Sequence, residues 1–233
     1  MFNDSMLNMY QFIKFARISY LLVIFVLLNS SSIFASKWLT GEYQRDSRDF
    51  NTLNFTGFSK LPYGFSTWGF VDFEGAKGVQ THQSDLSTYF LEIDLRSPSW
   101  HGLGGIVELD ATTGMGNDTG RAGIYYQPKA TWLKKNHAFL FFKGFPLESN
   151  GDVRQISFGW NLKFPDFIDG RFSMGGFADW NLNSGPNKDT NLVTDTQFRF
   201  RLIEKLSLLV EYRKNEFIAN NESGTGVGLQ YKF

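Results

Sequence analysis

The chain has 233 residues, with 23 Lys and Arg balancing 23 Asp and Glu, no Cys and 17 % aromatic residues. Near-zero net charge with no basic run gives no support to a nucleic-acid partner. The lack of Cys excludes a disulfide framework, and the length suits one domain or two small ones. Phe contributes 25 residues and Gly 23, an aromatic, turn-rich composition typical of β structure.

In chain order, Lys14 and Arg17 come first, followed by an apolar run, "YLLVIFVLL", at Tyr20–Leu28. "NSSSIFASKW" follows, with small residues suited to a cleavage point. This arrangement predicts a secretory signal over residues 1–35, cut after Ala35, and a mature domain over 36–233. The alternative, an uncleaved anchor, needs about 20 apolar residues, more than this run supplies. Met6 and Met9 are alternative starts.

Beyond Ser36 the pattern has period two. "STYFLEIDLR" sets Tyr89, Leu91, Ile93 and Leu95 against Phe90, Glu92, Asp94 and Arg96. "QISFGWNLK", "TQFRFRL" and "KLSLLVEYR" repeat it, and "GTGVGLQYKF" closes the chain with Val227, Leu229, Tyr231 and Phe233 on one face. Each stretch reads as a strand with one apolar and one polar face. Twelve are expected: Trp38–Gln44, Asp49–Ser59, Phe65–Glu74, Asp85–Arg96, Gly102–Ala111, Gly120–Trp132, His137–Phe145, Asp152–Lys163, Arg171–Asn181, Asn191–Leu202, Lys205–Asn215 and Ser223–Phe233. No helix of useful length is expected. Breaks rich in Gly, Asn and Asp alternate with mostly shorter ones such as "KLPYG" and "IEK".

An even number of strands of about ten residues, with two alternating classes of connection, describes an all-β, transmembrane, antiparallel up-and-down barrel of about 12 strands. In lipid every backbone polar group must pair inside the protein, so the last strand should close on "WLTGEYQ". A soluble β-sandwich also alternates, but it explains neither the signal nor the two loop classes. Pro128, inside "IYYQPKATW", implies a bulge or a strand running beyond the bilayer.

If the apolar row faces lipid, the other row lines a lumen. The third to fifth strands place Asp72, Glu74, Glu92, Asp94, Glu108 and Asp110 there, an acidic wall. The tenth to twelfth place Arg199, Arg201, Arg213 and Lys232 with Glu211 among them, and the sixth to eighth add Arg121, Lys129, Lys143 and Lys163. Opposed walls would set a transverse field across a narrow water-filled pore; alternatively the charges pair and plug it, since small barrels fill with side chains. Trp68, Phe70, Phe90, Tyr125, Phe139, Phe141 and Phe177 share this register. They suit flat rings such as nucleobases, or they brace the lumen.

"LNFTGFSKLPYGFSTWGFVDFEG", "YFLEIDLR", "FSMGGFADWN" and "GVGLQYKF" together resemble the Tsx-like nucleoside-channel family of Gram-negative outer membranes, and still more a related outer-membrane family without assigned function. The resemblance spans most of the mature chain in strand order and aromatic–Gly–acidic patches. It implies a monomeric barrel in the outer membrane with a narrow, selective pore. The C-terminal aromatic resembles the signal read by the barrel-assembly machinery. Expected partners are outer-membrane lipids, that machinery and small polar solutes, nucleosides among them.

Catalysis is poorly supported. No G-x-S-x-G stretch occurs, the three His are scattered, and neither Cys nor paired His offers a metal set or cofactor site. His82 with Ser84 or Ser87 is the one nucleophile–base candidate for a lipid-acting barrel enzyme. A non-conducting structural barrel is the other alternative.

Overall fold

The computed structural model describes residues 37–75, 86–113, 118–149, 151–184, 189–217 and 222–233. The signal region, His82 and Ser84 lie outside them. Twelve strands form: β1 (Lys37–Asp46), β2 (Asn51–Lys60), β3 (Ser66–Gly75), β4 (Leu86–Arg96), β5 (Leu103–Thr112), β6 (Thr119–Tyr126), β7 (Ala138–Glu148), β8 (Arg154–Phe164), β9 (Phe172–Ser184), β10 (Asp189–Arg201), β11 (Leu206–Asn215) and β12 (Ser223–Lys232). Each pairs antiparallel with its sequence neighbours, and β12 pairs with β1, so the sheet is a closed up-and-down barrel. No helix among the described residues is long and apolar enough to cross a membrane.

The seam runs from Thr40 opposite Lys232 to Asp46 opposite Gly226. Phe233 extends it, its N–H donating to the Leu39 carbonyl at 3.1 Å. The terminal segment is therefore held by a complete ladder. Its Gly residues have a packing role. A Cβ on Gly228 would lie 2.2 Å from the Tyr43 carbonyl oxygen, and one on Gly226 would lie 2.8 Å from Gln44 Oε1. The bare strand leaves room for side chains of β1 and β11 to fold across it.

The outer face is apolar. Val227 opposes Val210, which opposes Phe198, which opposes Met174 and then Leu162. Val71, Leu91 and Ala111 form an outer patch beneath Phe55, Phe73 and Tyr89. Charge is concentrated inside. This is a soluble protein turned inside out, and such a surface matches hydrocarbon.

The rim that holds the termini is also apolar and tightly turned. Tyr63, Trp100, Trp132, Phe167 and Ile203 stand exposed on its successive turns. Tyr63, His101, His137 and Asp169 adopt left-handed backbone there.

Two local expectations are corrected. β6 stops at Tyr126, so Pro128 lies in the connection to a short helix, α1 (Thr131–Lys135), and no strand carries it through Trp132. Lys129 goes with it, donating to Ser99 Oγ at 3.2 Å in a turn rather than facing the lumen. The bulge falls in β7: Leu147 opposes Ala122, whereas Gly144 already opposes Ile124, leaving Phe145 and Pro146 to share one position. Pro lacks an N–H, and a bulge tolerates it because that slot is already unpaired. The shift brings Glu148 onto the inner face.

Candidate functional site

The strands bring the inner-face charges together in two networks. The first joins β4, β5, β6 and β7. Lys143 Nζ lies 2.9 Å from Glu92 Oε1 and 2.5 Å from Glu108 Oε2. Arg121 pairs with Glu108 at 3.1 Å, with Glu148 at 2.9 Å and with Asp110. Arg96 pairs with Asp94 at 2.6 Å, and its guanidinium lies 4.0 Å from the centroid of Phe141. An apolar cluster of Ile106, Tyr125, Phe141 and Phe145 packs beside this network, inside the barrel. Tyr125 Oη donates to the Ser97 carbonyl at 2.7 Å.

The second network spans the lumen. Arg213 on β11 reaches Asp72 on β3 at 3.6 Å, Asp195 on β10 at 3.3 Å and its own-strand neighbour Glu211 at 3.3 Å. β3 and β11 are four places apart around the barrel, so the Asp72 contact crosses open section rather than following the wall. Asn54 donates to Asp72 at 2.7 Å. Gln44 and Gln197 donate to Glu211 at 3.1 and 2.9 Å, and Gln230 donates to Glu42 at 2.5 Å.

These charges are packed, not bathed. Asp94 is 1 % exposed, Glu108 4 % and Leu209, on the same inner row of β11, 0 %. Beside Arg213 lies a cavity of about 60 Å³ lined by Gln44, Asp46, Arg48, Phe50, Thr52, Glu74, Glu211, Arg213 and Asn215.

On β3–β5 the inner face carries Glu92, Asp94, Glu108 and Asp110 in the first network and Asp72 in the second. The β10–β11 wall carries Asp195 and Glu211 beside Arg213, which reaches across to Asp72, so that wall is mixed in charge rather than basic. Arg199 donates to Gln197 Oε1 at 2.8 Å, and Arg201 is exposed at the rim beside the Asp169 carbonyl. Lys232 is exposed at the same rim and Lys163 is also exposed.

Trp68, Phe70 and Phe90 form a half-buried run, with successive ring centroids 5.6 and 5.7 Å apart. Phe139 and Phe141 stack at 6.2 Å, and Phe177 stands opposite Asp195 and Gly159. Glu42, Asp46, Asp179, Asp195 and Glu148 join the inner face without having been singled out from sequence. Continuing each alternating row by two residues finds the first four; Glu148 depends on the bulge.

His101 packs edge-on against Trp100 at 4.7 Å in a rim turn. Glu92, Glu108 and Asp110 approach one another closely enough to hold a cation. Lys143 and Arg121 pair with these carboxylates, and Asp110 Oδ1 is buried without a hydrogen-bond partner among the described residues.

No protein-family model and no curated protein matches this chain. Solved structures similar in shape include two of one porin. The KdgM porin superposes with a TM-score of 0.53 at 11 % identity, over 83 % of this chain and 99 % of that one. The KdgM porin in complex with disordered oligogalacturonate gives 0.51 at 12 % identity, with the same coverage. At such identity the likeness is one of fold.

Proposed function

We propose that the protein is an outer-membrane channel of a Gram-negative bacterium, passing small polar solutes by diffusion, with nucleosides among the solutes. The observation that carries this reading is the inversion of the barrel: apolar residues outside, and inside a charged wall interrupted by Trp68, Phe70 and Phe90. The fold shared with a porin supports it.

In this reading the pore is lined by Asp72, Glu74, Glu92, Asp94, Glu108, Asp110, Arg121, Tyr125, Phe177, Arg199, Glu211 and Arg213 with the three aromatics, and Arg201 stands at its rim. A flat base on such rings gains about 1–3 kcal/mol of stacking. Carboxylates outnumber cations on the inner wall, so neutral and cationic solutes pass in preference to an acidic oligosaccharide of the kind bound by the similar porin. The rim with the termini faces the periplasm, and the C-terminal aromatic is the handle for the assembly machinery.

The burial of Asp94 and Leu209 favours a second reading, a structural barrel that does not conduct. Liposome swelling decides between them. With the purified protein in vesicles, uridine and small neutral sugars should enter faster than in protein-free controls, and galacturonate oligomers should not. Swelling equal to the controls for every solute would leave the structural barrel.

A further inference from the structure

We propose that Arg213 is the latch of the lumen and that Glu74 is its second berth: the passage opens when the guanidinium swings from Asp72 and Asp195 to Glu74. This rests on the channel reading above.

Among the described residues Arg213 is held at longer range than the other ion-paired cations of the interior. Its three carboxylate contacts are 3.3–3.6 Å long. Charge-assisted N–H···O bonds normally close to about 2.7–2.9 Å, as Arg96 to Asp94, Arg48 to Asp46 and Lys143 to Glu92 do at 2.6, 2.7 and 2.9 Å. Arg213 Nε, like Arg96 Nε, is buried without a hydrogen-bond partner among the described residues. The side chain is 22 % exposed, against 8–11 % for those of Arg48, Arg96, Arg121 and Lys143.

It also has somewhere to go. The cavity of about 60 Å³ lies against Arg213, and Glu74 forms part of its wall. Among the described residues the Glu74 carboxylate makes no ion pair. Glu74 follows Asp72 by two residues on β3, on the same face, so the berths are about 6.5–7 Å apart. A flexible Arg side chain spans that step by changing rotamers while its backbone stays in β11.

The move breaks the Arg213–Asp72 pair, which joins strands four places apart, one step more than Lys143–Glu92 or Gln197–Glu42. Glu211 keeps its bonds from Gln44 and Gln197, and Asp72 keeps Asn54, while Arg213 is away. Asp195 is left for water and for entering cations. The first berth offers three carboxylates and the second a single one, so the closed state is the major state and the open state its minor partner.

Planar-bilayer recordings of the full-length mature protein test this, with heat-modifiability on gels confirming folding of each variant. Asp72→Asn weakens the closed berth and should raise the open fraction about tenfold; Glu74→Gln weakens the open berth and should lower it by a similar factor. Arg213→Ala should stay open, and adding Glu74→Gln to it should change nothing. Equal-direction shifts from Asp72→Asn and Glu74→Gln, or a Glu74→Gln effect that survives in the Arg213→Ala background, would overturn the latch. If Arg213→Ala does not fold, the opposed signs of the two carboxylate variants decide alone. Wild type that conducts steadily and ignores all three substitutions refutes the latch and leaves the channel. Silence from wild type, Asp72→Asn and Arg213→Ala alike refutes both.

Discussion

Replacing Lys143 by Met removes one charge at nearly constant volume from the middle of the first network. Its ammonium is 2.9 Å from Glu92 and 2.5 Å from Glu108, and the side chain is 9 % exposed. Glu108 retains Arg121 at 3.1 Å, but Glu92 has no other ion pair. In a packed interior, stranding one buried partner costs about 3–5 kcal/mol. In a water-filled tube the same pair contributes about 0–1 kcal/mol. The two pictures of the lumen therefore differ by several kcal/mol at one residue. Urea unfolding in lipid vesicles, followed by Trp fluorescence, measures it. Lys143→Met should lose about 3–5 kcal/mol, and Glu92→Gln in that background should recover at least about 1 kcal/mol, since neighbours in one network couple by about 0.5–3 kcal/mol. A loss below about 1 kcal/mol, with no coupling to Glu92, would show the charges to be hydrated and the packed lumen to be wrong.

Three further outcomes are expected. Phe198→Arg puts a charge on the outer face and should cost about 2–4 kcal/mol near the bilayer centre, whereas Gln197→Arg enters a site already facing Glu42 and Glu211 and should assemble nearly normally; equal folding yields in lipid would refute the facing. Deleting residues 231–233 removes the Phe233–Leu39 bond and leaves unpaired backbone at membrane depth, at several kcal/mol per group. That chain should fail to insert while a deletion of residues 218–220 inserts, as sucrose-gradient fractionation will show; insertion of both would sink the seam argument. Mass spectrometry of the membrane-fraction protein should find an N-terminus near Ser36, and a mature form retaining Lys14 and Arg17 would refute the signal.

The strands were legible because one physical demand acts on every residue of them. An apolar exterior and a polar interior force period two, so Tyr89–Arg96 and Leu206–Arg213 announce their faces without any tertiary information. Closure was legible too, since membrane depth leaves "GTGVGLQYKF" no other partner than the first strand. The pairing inside was not. Alternation gives the face of Arg213 and of Asp72 but not their relative height, which the stagger of the closed sheet sets, so the sequence suggests a basic wall where Arg213 pairs with Asp72 four strands away. Leu209, Ile106 and Phe145 break the rule that the inner row is polar, and they pack inside the barrel beside the charges. The bulge at Phe145–Pro146 was hidden for a similar reason. Pro128 looked the more disruptive proline, yet it fell in a turn, where it disrupts nothing.

The reversal potential of the reconstituted wild-type protein under a KCl gradient tests the central claim most directly, because it asks at once whether a passage exists and which wall charge governs it. The acid-rich inner wall predicts openings that favour potassium over chloride. A silent bilayer, or a reversal potential on the chloride side, would contradict a channel lined by Asp72, Glu92, Asp94, Glu108 and Asp195.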